Sequence, residues 1–172
     1  PAVELEDYKV AEFQGSHGLT HTRLATESRV DICYSHPFWA RPFPDIAVVH
    51  NGQLTNHNKL RRSLQRRGYE FSTTNDSEVI AVFIADQLLN GLTLEQSLNE
   101  SIEQLDGTFT YLISTTDGIG FAKDRFSTKP LIVAENKSFV AMASEEVALH
   151  SMISEDTHLY EPTARAVQTW HR

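Results

Sequence analysis

The hydrophobic pattern of this chain changes period once. Apolar residues recur at helical spacing over residues 56–105, then fall from Phe109 onward into short runs parted by turn residues. In the first stretch Leu60 and Leu64 mark a helix over 56–67 that ends before Gly68. Val79, Ile80, Phe83, Ile84, Gln87 and Leu88 mark a second over 77–90, with Gly91 placed as its C-terminal cap. A third, over 94–105, opens with Thr93 and carries Gln96 three residues on, the pattern of a capping box. In the second stretch 109–113, 119–122, 130–133 and 139–143 read as strands, divided by Thr116-Asp117-Gly118 and Glu135-Asn136-Lys137. Connections that short cannot hold a helical crossover, so the sheet is expected to be largely antiparallel. A short helix from Ser144 and a last strand over 166–170 complete this half. Helices and strands are thus segregated along the chain, which makes the class α+β.

The N-terminal third is less regular. Strands are expected over 19–24 and 46–50, the latter an apolar run suited to burial on both faces, with a Pro-rich loop over 35–44 between them. Neither a repeat nor a linker divides the 172 residues, so they are read as a single domain, 1–172. The net charge of -8 supplies no positive field for phosphates, and no run approaches the roughly 20 apolar residues of a membrane span. Nucleic acid and membranes are therefore poor partners for it. The single cysteine, Cys33, excludes an internal disulfide framework and a CxxC-type zinc site, and fits a cytoplasmic protein.

Several groups could carry chemistry. Arg23, near the end of the expected strand in His21-Thr22-Arg23-Leu24-Ala25-Thr26-Glu27-Ser28, offers a planar fork of donors suited to a carboxylate; a surface ion pair is the alternative. In Val48-Val49-His50-Asn51-Gly52 a buried strand is expected to run out into a turn. Asn51 and Gly52 could aim two N–H groups at a developing oxyanion, or form a plain turn. Asp76, in Thr74-Asn75-Asp76-Ser77-Glu78, stands where it or Ser77 would cap the second helix, or where a carboxylate could meet an ammonium group. Cys33 and His36 have a spacing that invites a nucleophile and base, but nothing marks a helix N-terminus to lower the thiol pKa. His21, His50 and His57 lie on different elements without ligand spacing, and read as structural rather than metal-binding. Lys59, Arg61, Arg62, Arg66 and Arg67 read as the solvated face of an amphipathic helix, with a subunit contact as the alternative.

Taken in order, His21-Thr22-Arg23-x-Ala25-Thr26, His36-Pro37-Phe38, Val49-His50-Asn51-Gly52 and Asn75-Asp76-Ser77-Glu78-Val79 resemble the class II glutamine amidotransferases. Ala122-Lys123-Asp124-Arg125 with Lys129-Pro130-Leu131, and Ala143-Ser144-Glu145, extend the likeness over nearly the whole chain. The forms Ala25-Thr26-Glu27-Ser28 and Thr169-Trp170-His171-Arg172 look most like the amidotransferase subunit of glutamate-synthase-like and N-methylglutamate synthase systems. Leu24 and Glu27 depart from the tryptophan and histidine usual in members with sugar-phosphate or phosphoribosyl partners.

The resemblance implies an N-terminal-nucleophile hydrolase fold, a four-layer αββα sandwich of antiparallel sheets. It also implies hydrolysis of L-glutamine to glutamate and ammonia without a cofactor or metal, the ammonia passing to partner synthase subunits in an oligomer or hetero-complex. By the same likeness Arg23 holds the substrate carboxylate, Asp76 its ammonium group, and Asn51 and Gly52 form the oxyanion hole, with Thr26 and His50 shaping the pocket. Family members begin at a Cys-Gly-Ile type segment bearing the nucleophile, which is absent from the residues beginning at Pro1. The expectation is a sandwich lacking its N-terminal part and inactive by itself; a nucleophile-free regulatory or scaffolding module is the alternative.

Overall fold

A computed structural model describes residues 9–22 and 32–172. Two antiparallel sheets organise it. The larger has the order β1-β2-β3-β4-β8, from β1 (Phe38–Ala40), β2 (Phe43–Leu54), β3 (Gly107–Thr115), β4 (Gly118–Lys123) and β8 (Val167–His171). In the smaller, β5 (Ile132–Glu135) lies between β6 (Val140–Ala143) and β7 (His158–Tyr160). Helices α1 (His57–Arg66), α2 (Asp76–Leu89) and α3 (Leu94–Gln104) intervene between β2 and β3 in the chain.

Strand alternation assigns the two cores. Phe109, Tyr111 and Ile113 of β3 join Val48 of β2 and the apolar residues of α2 on one face of the large sheet. On its other face Phe121 of β4 packs with Leu131 and Val133, flanked by Leu112, Met142 and Trp170. Because both faces are covered, β4 is buried along its whole length. Helix α2 packs on β1 and β2 and is flanked by α1 and α3. It is apolar round its circumference for that reason, with residues from Val79 to Ala85 all buried. Among the described residues no helix is long and apolar enough to cross a membrane.

The helix expectations hold to within a residue or two. Helix α3 has the full capping box between Thr93 and Gln96. At the end of α2, Gly91 (φ 90°) donates to Leu88 O and Leu92 to Gln87 O, the paired bonds of a Schellman motif. Four expectations need correction. The Pro-rich stretch is not a loop throughout: Phe38–Ala40 pairs with β2 as a hairpin turning at Arg41-Pro42, because its prolines stand at the turn and sheet edge where no ladder N–H is lost. Residues 19–22 take no strand conformation, and the rest of that expected strand lies outside the described residues. Asn51 and Gly52 do not end β2; they pair with Thr110 and Phe109. The basic cluster is not a solvated face throughout. Arg61 donates to Thr73 O and Asn75 O and lies over the Phe71 ring, and Arg67 pairs with buried Asp86.

Candidate functional site

The N-cap of α2 is Asn75, whose side chain accepts the Ser77 N–H, and this frees Asp76 for another task. Buried Glu78 takes the N–H groups of Ser72 and Thr73 and the Thr73 hydroxyl, at 2.6–2.8 Å. With Arg61 holding the carbonyls of Thr73 and Asn75, the turn before α2 is fixed from both sides. The Asp76 carboxylate is thereby presented to β2, where Oδ2 accepts the Leu54 N–H at 2.9 Å.

That bond is one of a row. Along an antiparallel strand, a residue's N–H and C=O point to the same side and alternate sides with the next residue. Phe109 commits both groups to Asp124: its N–H goes to Oδ2 at 2.7 Å, and its carbonyl accepts the Asp124 N–H at 2.9 Å. Gly52, opposite Phe109, therefore turns its N–H away from β3, as do His50 and Leu54. His50 donates to His36 Nδ1 at 3.2 Å, and Leu54 to Asp76. Between them the Gly52 N–H points to the same outer edge, past the end of β1 at Phe38. Gly52 has φ 136°, and a Cβ there would stand 2.0 Å from the Thr108 carbonyl oxygen, so no other residue fits.

His50 itself is buried beneath β2, its Nδ1 2.9 Å from Ser77 Oγ and 3.9 Å from Asp76 Oδ1. Burial pushes its pKa down to about 4, against the opposing pull of Asp76 and with small further depression from His21 and Lys129. Its Nε2 is buried and has no hydrogen-bond partner among the described residues. Since the unfolded chain has the ordinary histidine value near 6.5, it binds more protons than the fold between pH 6.5 and 4. The resulting stability, on the order of 3 kcal/mol, is complete above pH 6.5 and is lost as pH falls toward 4. His50→Gln is expected to flatten this dependence. Urea midpoints at pH 7.5 and 5 measure it, and equal slopes for variant and wild type would refute a neutral buried imidazole.

His50, Asn51, Gly52 and Asp76 are thus brought together at one stretch of β2, with the exposed Asn51 on the sheet face opposite His50. Arg23 and Thr26 lie outside the described residues. His36 joins the row although its motif gave no sign of it beyond a histidine before proline. It stacks on His21 with ring centroids 4.1 Å apart and meets Phe38 edge-on. Cys33 is exposed in the single turn Ile32–Tyr34. Among the described residues no three His, Cys, Asp or Glu side chains cluster as metal ligands.

Comparison with known proteins gives a consistent picture. Residues 21–151 match the family model described as a glutamine amidotransferase domain. A putative glutamine amidotransferase of Methanothermobacter thermautotrophicus is 44% identical over 152 residues, 88% of this chain and 50% of the relative. The glutamine amidotransferase-like protein GlxB of Rhizobium meliloti is 40% identical over 164 residues, 95% of this chain and 54% of the relative. The chain therefore spans about half the length of these two relatives. Among solved structures, the glutamine phosphoribosylpyrophosphate amidotransferase of B. subtilis superposes with TM-score 0.60 at 24% identity, covering 73% of this chain and 29% of its own. An allosteric regulatory enzyme of purine biosynthesis gives 0.61 at 23%, covering 79% and 30%. The fold is that of the N-terminal-nucleophile amidotransferases, as the sequence led us to expect.

Proposed function

This chain belongs to the glutamine amidotransferase domain family, and from that premise we propose that it binds L-glutamine and takes part in its hydrolysis to glutamate and ammonia for a synthase partner. The observation that carries the reading is the open Gly52 N–H flanked by the Asp76 carboxylate. Two strand residues span about 7 Å. That is close to the reach of extended glutamine from amide oxygen to α-nitrogen, about 5–6 Å with bonds near 1.5 Å.

In this reading the amide oxygen sits off the edge of β2 on the Gly52 N–H, with the Asn51 amide as second donor, and the α-ammonium meets Asp76 Oδ1. Arg23 and Thr26 are assigned to the carboxylate end, and His50, neutral and buried, supports the floor. A cysteine thiol attacks the amide carbon, the oxyanion is held by Asn51 and Gly52, and ammonia leaves with a proton as the thioester forms. Water then breaks the thioester, releasing glutamate and the thiol. Cys33 is exposed and stands outside the motifs that carry the likeness, so the nucleophile is assigned to a different thiol. The Ala25-Thr26-Glu27-Ser28 form supports a place among the subunits of glutamate-synthase-like systems, including N-methylglutamate synthase.

Asp76→Ala in the full-length protein is expected to raise the glutamine KM at least ~100-fold, the loss of a charge-assisted contact. Cys33→Ser should change kcat and KM by less than about twofold, since both are read as free of its chemistry. Glutamate release under steady-state conditions measures both. A wild-type protein that releases no glutamate, or a Cys33→Ser enzyme that is folded and dead, would sink the assignment.

A further inference from the structure

We propose that His36 is a positioning residue for glutamine hydrolysis, its Nδ1 taking the His50 N–H so that β1 pairing stops short of Gly52 and leaves that amide as the open donor. The inference rests on the glutamine reading above and adds to it a residue that never touches substrate.

The edge of β2 could in principle be paired along its full length. Its partner β1 stops at Phe38, opposite Val48. The next outward amide of β2, His50, would then be unpaired at a buried position, which costs about 1–3 kcal/mol. The His36 imidazole supplies the missing acceptor at 3.2 Å. A backbone carbonyl could do the same, but a strand that supplied one would extend toward Gly52. A side chain satisfies one amide and ends there.

Position and tautomer follow from the surroundings. The ring is clamped between His21, stacked at 4.1 Å, and Phe38, edge-on at 4.9 Å. Accepting at Nδ1 requires that nitrogen to be unprotonated. Further along the outer edge of β2 the Leu54 N–H bonds to Asp76. Pairing with β3 sets the side to which the Gly52 N–H points, and His36 and Asp76 tie the outer edge of the strand on either side of it. An oxyanion donor that is misplaced loses transition-state stabilisation while substrate binding, made elsewhere, is retained.

The test uses the full-length protein and three variants. His36→Ala removes the acceptor and is expected to lower kcat for glutamine about 10- to 100-fold, less than the roughly 100- to 1000-fold for losing an oxyanion donor outright because the amide is misplaced and not removed, with KM changed less than about threefold. His36→Asn should restore kcat to within about threefold of wild type, because its Oδ1 occupies the place of the imidazole Nδ1. His36→Phe keeps the ring contacts without an acceptor and should resemble the alanine variant, which separates the hydrogen bond from packing. Amide hydrogen exchange at His50 gives a readout independent of turnover: protection should fall in the Ala and Phe variants and persist in Asn. An alanine variant with unchanged kcat and His50 protection, or an asparagine variant as impaired as alanine, overturns the proposal. A wild-type protein without glutaminase activity defeats the function reading instead, and the exchange pattern still decides whether His36 holds the strand.

Discussion

Gly52→Ala is expected to destabilise the fold by about 3–5 kcal/mol, at the upper end for a single substitution. Two effects act together. The residue sits at φ 136°, a conformation that residues with a Cβ rarely adopt, and the added methyl would fall 2.0 Å from Thr108 O and 2.8 Å from Phe109 Cα. Those atoms are backbone of β3, paired with β2 over eight residues from Ala47 to Leu54, so they cannot swing aside as a side chain would. The strands must separate or Gly52 must change φ, and either movement also redirects its N–H. Gly18→Ala, which meets no atom within 4 Å, is the control and should shift stability by less than about 0.5 kcal/mol. Urea midpoints compare the two. A Gly52→Ala protein as stable as the control would show that β2 and β3 are not in close contact at this point.

The second large effect is expected at Asp124, which lies just past β4 and is 1% exposed. Its Oδ2 accepts the Phe109 N–H, and its Oδ1 accepts the N–H groups of Phe126 and Ser127. Asp124→Ala leaves three amides without acceptors, so a loss of about 3–5 kcal/mol is expected, as when one partner of a buried charged network is removed. The consequence reaches the candidate site by a short path. The turn that Asp124 organises delivers Lys129, whose carbonyl accepts the Thr110 hydroxyl, and Thr110 pairs with Asn51 across β3 and β2. Asp124→Asn keeps one oxygen acceptor and should fall between wild type and alanine. If thermal unfolding placed alanine and asparagine within about 0.5 kcal/mol of wild type, the carboxylate would not be organising this turn.

Local signals in the sequence were sufficient where the energetics are local. The capping box of Thr93 and Gln96 and the glycine after α2 are settled by residues within one turn, and those helix ends appear where expected. The short β3–β4 and β5–β6 connections likewise required antiparallel pairing, which the registers display. Failures occurred where a distant partner decides. Asn-Gly is a strong turn dipeptide, yet Asn51 and Gly52 are held extended by Thr110 and Phe109 from beyond three helices. Residues Phe38–Ala40 escaped notice because prolines surround them, and His158–Tyr160 because three residues are too few to show alternation.

The same division runs through the site. Asp76 was picked out with its cap role in view; the structure gives the cap to Asn75 and turns the carboxylate to β2. Arg61 looked like one of several surface cations, but packing of α1 on the turn before α2 makes it a clamp on Thr73 and Asn75. By itself the sequence determined the family, the helices and the caps at Thr93 and Gly91, and it put His50, Asn51, Gly52 and Asp76 forward as candidates. Only the tertiary structure decided that alternate amides of β2 form a row in which His36 and Asp76 each take one and Gly52 keeps its own. The reason is physical: the direction of a strand N–H follows from which neighbour pairs with it, and here that neighbour, β3, is far away in the chain.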